Sequence, residues 1–155
     1  MLMLGVVGLA MIGGGIPPIR ERIRRRKIEN ALPSFLEGLS DEVGAGLGIQ
    51  EAMQHQAKTA PAPLGPLLVE TLKESHSSSF DAALSSFATK SRSSQVQRVM
   101  HLLETAIEQN APLQEILMNL SMDYERLNDL MNKRESELQG LSLIHISEPT
   151  RLWHI

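Results

Sequence analysis

The residues able to do chemistry are few and scattered. The five histidines are His55, His76, His101, His145 and His154. No two of them lie three or four positions apart, so none forms the helical pair that holds zinc in an HExxH site. His101 lies in Val99-Met100-His101-Leu102-Leu103-Glu104, which invites comparison with a phospho-accepting histidine in a two-helix sensor module. Its neighbours do not match that pattern and no ATP-binding unit follows, so a structural or surface histidine is the reading. Ser77-Ser78-Ser79 has no G-x-S-x-G context and reads as a turn. Gly44-Ala45-Gly46-Leu47-Gly48 could suggest a phosphate cradle, but no Gly-Lys-Ser/Thr follows and no strand precedes, so helix-ending glycines are expected. The absence of cysteine excludes disulfides, thiolate metal sites and thiol nucleophiles. No catalytic residue, metal ligand or cofactor-binding residue is identified, and no cofactor is implied.

What stands out instead is charge. Residues 20–27, RERIRRRK, carry six basic side chains (Arg20, Arg22, Arg24, Arg25, Arg26 and Lys27) against one acid. Residues 28–140 carry eight basic and sixteen acidic side chains, so a strongly basic collar is joined to an acidic body. Such segregation suits a chain that meets two environments. Nucleic acid is a poor candidate partner, because the body is acidic and the chain has only five aromatic residues for base stacking: Trp 1, Tyr 1, Phe 3.

The collar follows Met1–Ile19, MLMLGVVGLAMIGGGIPPI, which holds no charged residue. A spanning helix needs about 20 apolar residues, and Pro17-Pro18 is expected to end the helix early, so residues 1–19 make a membrane segment of marginal length. A secretory signal would carry its positive charges before the apolar run rather than after it. Basic residues gather on the cytoplasmic side, which places the N-terminus outside and the body in the cytoplasm. A buried core helix beside a basic surface segment is the alternative.

From Lys27 onward the pattern is helical. Ile28, Leu32, Phe35, Leu36, Leu39 and Val43 line one helix face. Pro33 is tolerable there if Asn30 caps the helix, and otherwise kinks it. Further helices are expected at 49–58, 64–75, 80–90, 94–109 and 112–139, broken by Ala60-Pro61-Ala62-Pro63 and other turns. Ser94 with Gln97 has capping-box spacing; Asn110 suits a left-handed helix end and Pro112 a first helical position. A weak repeat aligns Ile49, Ala52, Met53 and Ala57 with Phe80, Ala83, Leu84 and Ala88, and then with Leu113, Ile116 and Leu117. Its copies open at Gly48, Ser79 and Pro112, and the acids that follow (Glu51, Asp81, Glu115) suit helix N-termini without needing a catalytic role. The expected fold is all-α: an antiparallel bundle of about six helices built from repeated helix pairs, preceded by a membrane helix.

The last helix carries Leu113, Leu117, Leu120, Tyr124, Leu127, Met131, Arg134 and Leu138 at heptad spacing, broken by Arg134. This seam either packs within the bundle or pairs with a second copy, and part of the helix is expected to project.

The stretch from Glu29 to about Glu137 resembles the cytoplasmic domain of the type II secretion system F family, the platform proteins of type II secretion, type IV pili and the archaellum. The resemblance rests on Leu32-Pro33, on Gly46-Leu47-Gly48-Ile49-Gln50-Glu51-Ala52, on Ser79-Phe80-Asp81-Ala82-Ala83-Leu84, and on Ala111-Pro112-Leu113 with Ile116-Leu117. Asp123-Tyr124-Glu125-Arg126 with Arg134 is more similar to the archaeal and tight-adherence branches. The family commonly has glycine where this chain has Ser77 or Ser78 and Asn110, so those turns are expected to be looser. The family also continues into further membrane helices. Here the chain ends LSLIHISEPTRLWHI, which resembles a sequencing-adapter read-through, and residues 141–155 are set aside as a non-native tail on a truncated protein.

The resemblance implies a non-enzymatic inner-membrane scaffold. It would bind a hexameric secretion ATPase through the helical body (28–140) and couple that motor to assembly of pilin-like subunits. The collar would fix topology against membrane lipid, with contact to the motor as a second role; a lipid-facing collar without a partner is the plainer alternative. A different reading makes the chain a membrane-anchored signalling module whose last helix forms a dimeric coiled coil.

Overall fold

Proline in a helix interior withholds one N–H and crowds the carbonyl four residues earlier, so Pro33 should interrupt the first helix of the body. In the computed structural model it does not. The structure describes residues 2–74 and 77–152, with side chains given for 18–74 and 77–140. Within them the chain forms six helices: α1 (Leu2–Gly44), α2 (Ile49–Thr59), α3 (Leu64–Glu74), α4 (Phe80–Ser91), α5 (Ser94–Glu108) and α6 (Leu113–Leu152). No strand occurs among the described residues.

Several expectations are corrected here. α1 is one helix through Pro17-Pro18, the collar and Pro33, so the two prolines do not end it and Asn30 is a mid-helix residue rather than a cap. The reason at Pro33 is external support. Pro33 leaves the Glu29 carbonyl without its helical donor, and Asn128 Nδ2 of α6 supplies one at 2.7 Å. The Pro33 carbonyl in turn accepts from Ser121 Oγ at 2.8 Å. α6 runs past the expected end at 139. At α5 the cap is Ser93, whose hydroxyl accepts from Val96 N, rather than Ser94. Pro112 stands just before the first helical residue, and its carbonyl accepts from Ile116 N. The proposed membrane segment 1–19 lies almost wholly outside the residues whose side chains are described. Among the described residues no helix is long and apolar enough to cross a membrane.

The expected apolar face of α1 is the centre of the core. Ile28, Leu32, Leu36 and Leu39 are fully buried and Phe35 nearly so. Each such side chain contributes about 1.5–3 kcal/mol by leaving water. They join one cluster with Met53 (α2), Leu64 and Leu68 (α3), Leu84 and Phe87 (α4), Val99 and Leu103 (α5) and Leu117 (α6). Helices α2 to α5 pack in chain order, each on the next, while α6 returns along α1 in the most extensive contact of the fold. The sequence repeat has a physical counterpart. α2 buries Ala52, Met53 and Ala57; α4 buries Ala83, Leu84 and Ala88; and Ile49 and Phe80 lean on the cluster from equivalent first-turn positions.

The turns are built as their residues dictate. Gly46 takes φ +105° and Asn110 φ 51°, left-handed conformations that glycine and asparagine adopt at least cost. Gly48 precedes α2 in an extended conformation without a side-chain cap. Ser79 caps α4 by accepting from Ala82 N at 3.2 Å. Gly65 is required by space: a Cβ there would strike the main-chain carbonyl of Ala60.

Candidate functional site

The collar lies on α1 where α4, α5 and α6 come alongside it, and its cations divide among them. Arg24 Nη1 donates to the Lys90 carbonyl in the last turn of α4 at 3.2 Å, a favourable place for a cation at a helix C-terminus. It also lies 3.9 Å from Glu21, which reaches Arg92 at 3.6 Å. Arg26 turns the other way, onto α6. Its Nη2 donates to Asn132 Oδ1 at 3.2 Å and Glu135 Oε2 at 3.1 Å, and Nη1 lies 3.9 Å from Met131 Sδ. Arg20, Arg22, Arg25 and Lys27 are exposed and have no ion pair among the described residues.

Below the collar, Glu29 joins three helices. Its side chain is buried, and Oε1 accepts from Ser93 Oγ at 2.7 Å while its main-chain carbonyl accepts from Asn128. The carboxylate thus sits at the N-terminus of α5, where helix polarity favours negative charge. Ser93 both caps α5 and donates to Glu29, so α1, α5 and α6 are tied at one level. This level is the floor of a cleft of about 870 Å³. Its walls carry Arg22, Arg25 and Lys27 from α1 and Arg134 from α6, with Ile23 and Leu138 at the apolar rim. Reading the sequence as a heptad seam treats Arg134 as a flaw. The structure brings it to the collar from more than a hundred residues away, and no local signal could have shown that.

The seam holds in its first half and fails only further along. The face of α6 that packs on the bundle runs through Leu113, Leu117, Leu120, Ser121, Tyr124, Asn128 and Met131, and leaves Leu127 out. Leu127, Leu130 and Leu138 are exposed as a result, Leu130 by 62% and Leu138 by 67%.

Elsewhere the polar groups support structure. Lys90 reaches Glu74 at 3.1 Å and Glu70 at 3.5 Å, and the hydrogen bond to Glu74 holds its pKa above the ordinary value. Glu42 accepts from His55 Nδ1 and Gln56 Nε2, both at 2.8 Å; the His55 bond is the chief cause of its lowered pKa. His101 is exposed on α5, whereas His76, His145 and His154 fall outside the residues whose side chains are described. Among the described residues no group of three or more His, Asp or Glu side chains could hold a metal ion. The arrangement can bind charge and hold helices together.

The family model for type II secretion system (T2SS) protein F matches residues 35–145, most of the chain. The chain belongs to the type II secretion system protein F family. No curated protein and no solved structure matches it. The family match covers the body from Phe35 through most of α6, so Leu36, Leu39, the Gly46 and Ser79 turns, Asn110 and Pro112 all fall within the protein F region. The collar lies N-terminal to it. Arg134 falls within the matched region, so the cleft joins the protein F body to the segment that precedes it.

Proposed function

We propose that this protein is a non-enzymatic platform of a type II secretion or type IV pilus-like (archaellum-like) machine, held in the cytoplasmic membrane with its N-terminus outside and its helical body in the cytoplasm. The body docks a hexameric secretion ATPase and couples that motor to assembly of pilin-like subunits. The single observation that carries this reading is the protein F match over residues 35–145. The described fold agrees with a mechanical role. α1 and α6 form a long antiparallel pair, bound by Asn128, Ser121 and Ser40 to main-chain carbonyls of the facing helix. Such a pair transmits force along its axis without sliding, because each bond fixes the register. The uncharged run before Arg20 and the collar after it support the membrane placement.

The test is co-isolation from cells that carry the complete machine. The chain should stay with the membrane pellet after alkaline extraction, and its detergent extract should bring down the secretion ATPase. A chain found in the supernatant and free of that ATPase would refute the reading.

One observation favours a second assembly. Leu127 and Leu130 form an exposed apolar patch on α6 that α1 leaves uncovered, and two copies could bury it against each other as a dimer.

A further inference from the structure

The collar and the acidic body meet in the cleft between α1, the start of α5 and α6. Its charge does not balance. Arg22, Arg25, Arg26, Lys27 and Arg134 line it against two acids, Glu29 and Glu135. Both acids have partners: Glu29 accepts from Ser93, and Glu135 pairs with Arg26 at 3.1 Å. Arg22, Arg25, Lys27 and Arg134 are left with no acid among the described residues. Four uncompensated cations around one concavity repel one another, so an anion placed among them is stabilised by all four.

The rim says what carries that anion. Ile23 is 52% exposed and Leu138 67%, and Ile19 stands 60% exposed one turn before Ile23. All three lie at the end of the α1–α6 pair nearest the uncharged run 1–19. A dissolved anion gains nothing from these side chains, whereas a phospholipid offers a phosphate to the guanidinium groups and acyl chains to the isoleucines and Leu138. A volume of about 870 Å³ admits a headgroup with its glycerol.

We propose that this cleft binds the headgroup phosphate of an anionic phospholipid, with Arg22, Arg25 and Lys27 contributed by the collar and Arg134 by the body. The site rests on the membrane placement proposed above and extends it: lipid is held between two helices of the platform rather than gathered diffusely along one. Arg134 is its diagnostic residue. A diffuse collar has no use for a cation more than a hundred positions away, whereas a built cleft does.

The test uses the full chain purified in neutral detergent and incubated with equal amounts of phosphatidylglycerol and phosphatidylcholine. Retained lipid is counted by native mass spectrometry. The expected result is preferential retention of one phosphatidylglycerol per chain, reduced about fivefold by Arg134→Ala, as loss of one basic contact near 1 kcal/mol implies. Arg126→Ala, which removes an exposed arginine of α6 outside the cleft, should leave retention unchanged. Equal retention of the two lipids overturns the proposal, as does an equal loss in the two variants, which would mean long-range charge alone. Displacement of the lipid by millimolar inorganic phosphate overturns it in favour of a free-phosphate site. Arg134 is exposed, so unchanged helical circular dichroism is expected in the variant. No motor is present in the assay, so this site and the motor-docking reading can fail separately.

Discussion

Asn128 Nδ2 donates to the main-chain carbonyl of Glu29 at 2.7 Å, and that carbonyl is free to receive it because residue 33 is proline. Two features that look unfavourable in isolation, a proline within a helix and an asparagine on a buried helix face, resolve each other across 99 positions of sequence. Removing either partner alone therefore has unequal effects.

Asn128→Ala should destabilise the body by about 1–3 kcal/mol, the cost of leaving a buried carbonyl unpaired. Pro33→Ala restores the missing N–H within α1, so the same Asn128→Ala change should cost markedly less in a Pro33→Ala background. Urea denaturation of the four chains, followed by circular dichroism, gives the coupling directly. Additive effects would mean that the two sites are independent.

Gly65→Ala sets two effects in opposition. Alanine improves helix propensity by about 1 kcal/mol, but its methyl group would meet the main-chain carbonyl of Ala60, which cannot swing aside as a side chain could. The collision should win, with a net loss of up to about 2 kcal/mol, the cost of overpacking less the propensity gain. A lower midpoint in thermal denaturation checks it, and an unchanged or raised midpoint would show that the α2–α3 corner yields.

Ser93→Ala removes the cap of α5 and the donor to buried Glu29 together. Loss of the cap alone costs about 0.5–2 kcal/mol, and the stranded carboxylate adds to it. Ser93→Thr keeps both hydrogen bonds and should retain most of the stability. Amide exchange at Val96 and neighbouring residues should accelerate in the alanine variant and much less in the threonine one.

The Glu42 carboxylate gives a pH dependence of known sign. Its folded pKa lies below the ordinary value of 4.5, chiefly through the bond to His55. The stability it adds is therefore fully present above the unfolded pKa, and is lost as pH falls through the folded one. The difference in melting temperature between the native chain and Glu42→Gln should be largest above the ordinary carboxylate pKa and shrink as pH falls below it. A constant difference would contradict the assignment.

Much of this fold is legible in the sequence. Spacing alone marks α2 to α6 and the body half of α1, whose core face follows from Ile28, Leu32, Phe35, Leu36 and Leu39. The repeat of Ala52-Met53 and Ala83-Leu84 reports equivalent buried positions. What stays hidden is whatever a distant residue supplies. α1 continues through Pro33 because Asn128 reaches it. That same requirement draws Ser121 and Asn128 onto the buried face and turns Leu127 outward, against the preference of a purely apolar seam. Ser93 rather than Ser94 caps α5, because only Ser93 can serve Glu29 as well. The arginines of the collar are obvious in sequence; that Arg134 joins them is not.

Leu127→Lys and Leu130→Lys bear on assembly. Both residues are exposed, so these changes should leave the fold intact. Sedimentation velocity of the full chain in detergent should show a dimer dissociating in either variant if the patch pairs two copies. A monomer in the native chain would dismiss the dimer.

The central claim, that the helical body docks a motor, is tested most directly by the affinity of the purified full chain in detergent for the purified secretion ATPase of the same system. Saturable binding at low ionic strength is expected, abolished when the body is denatured. Absence of saturable binding, with the ATPase shown to be an active hexamer, would contradict it.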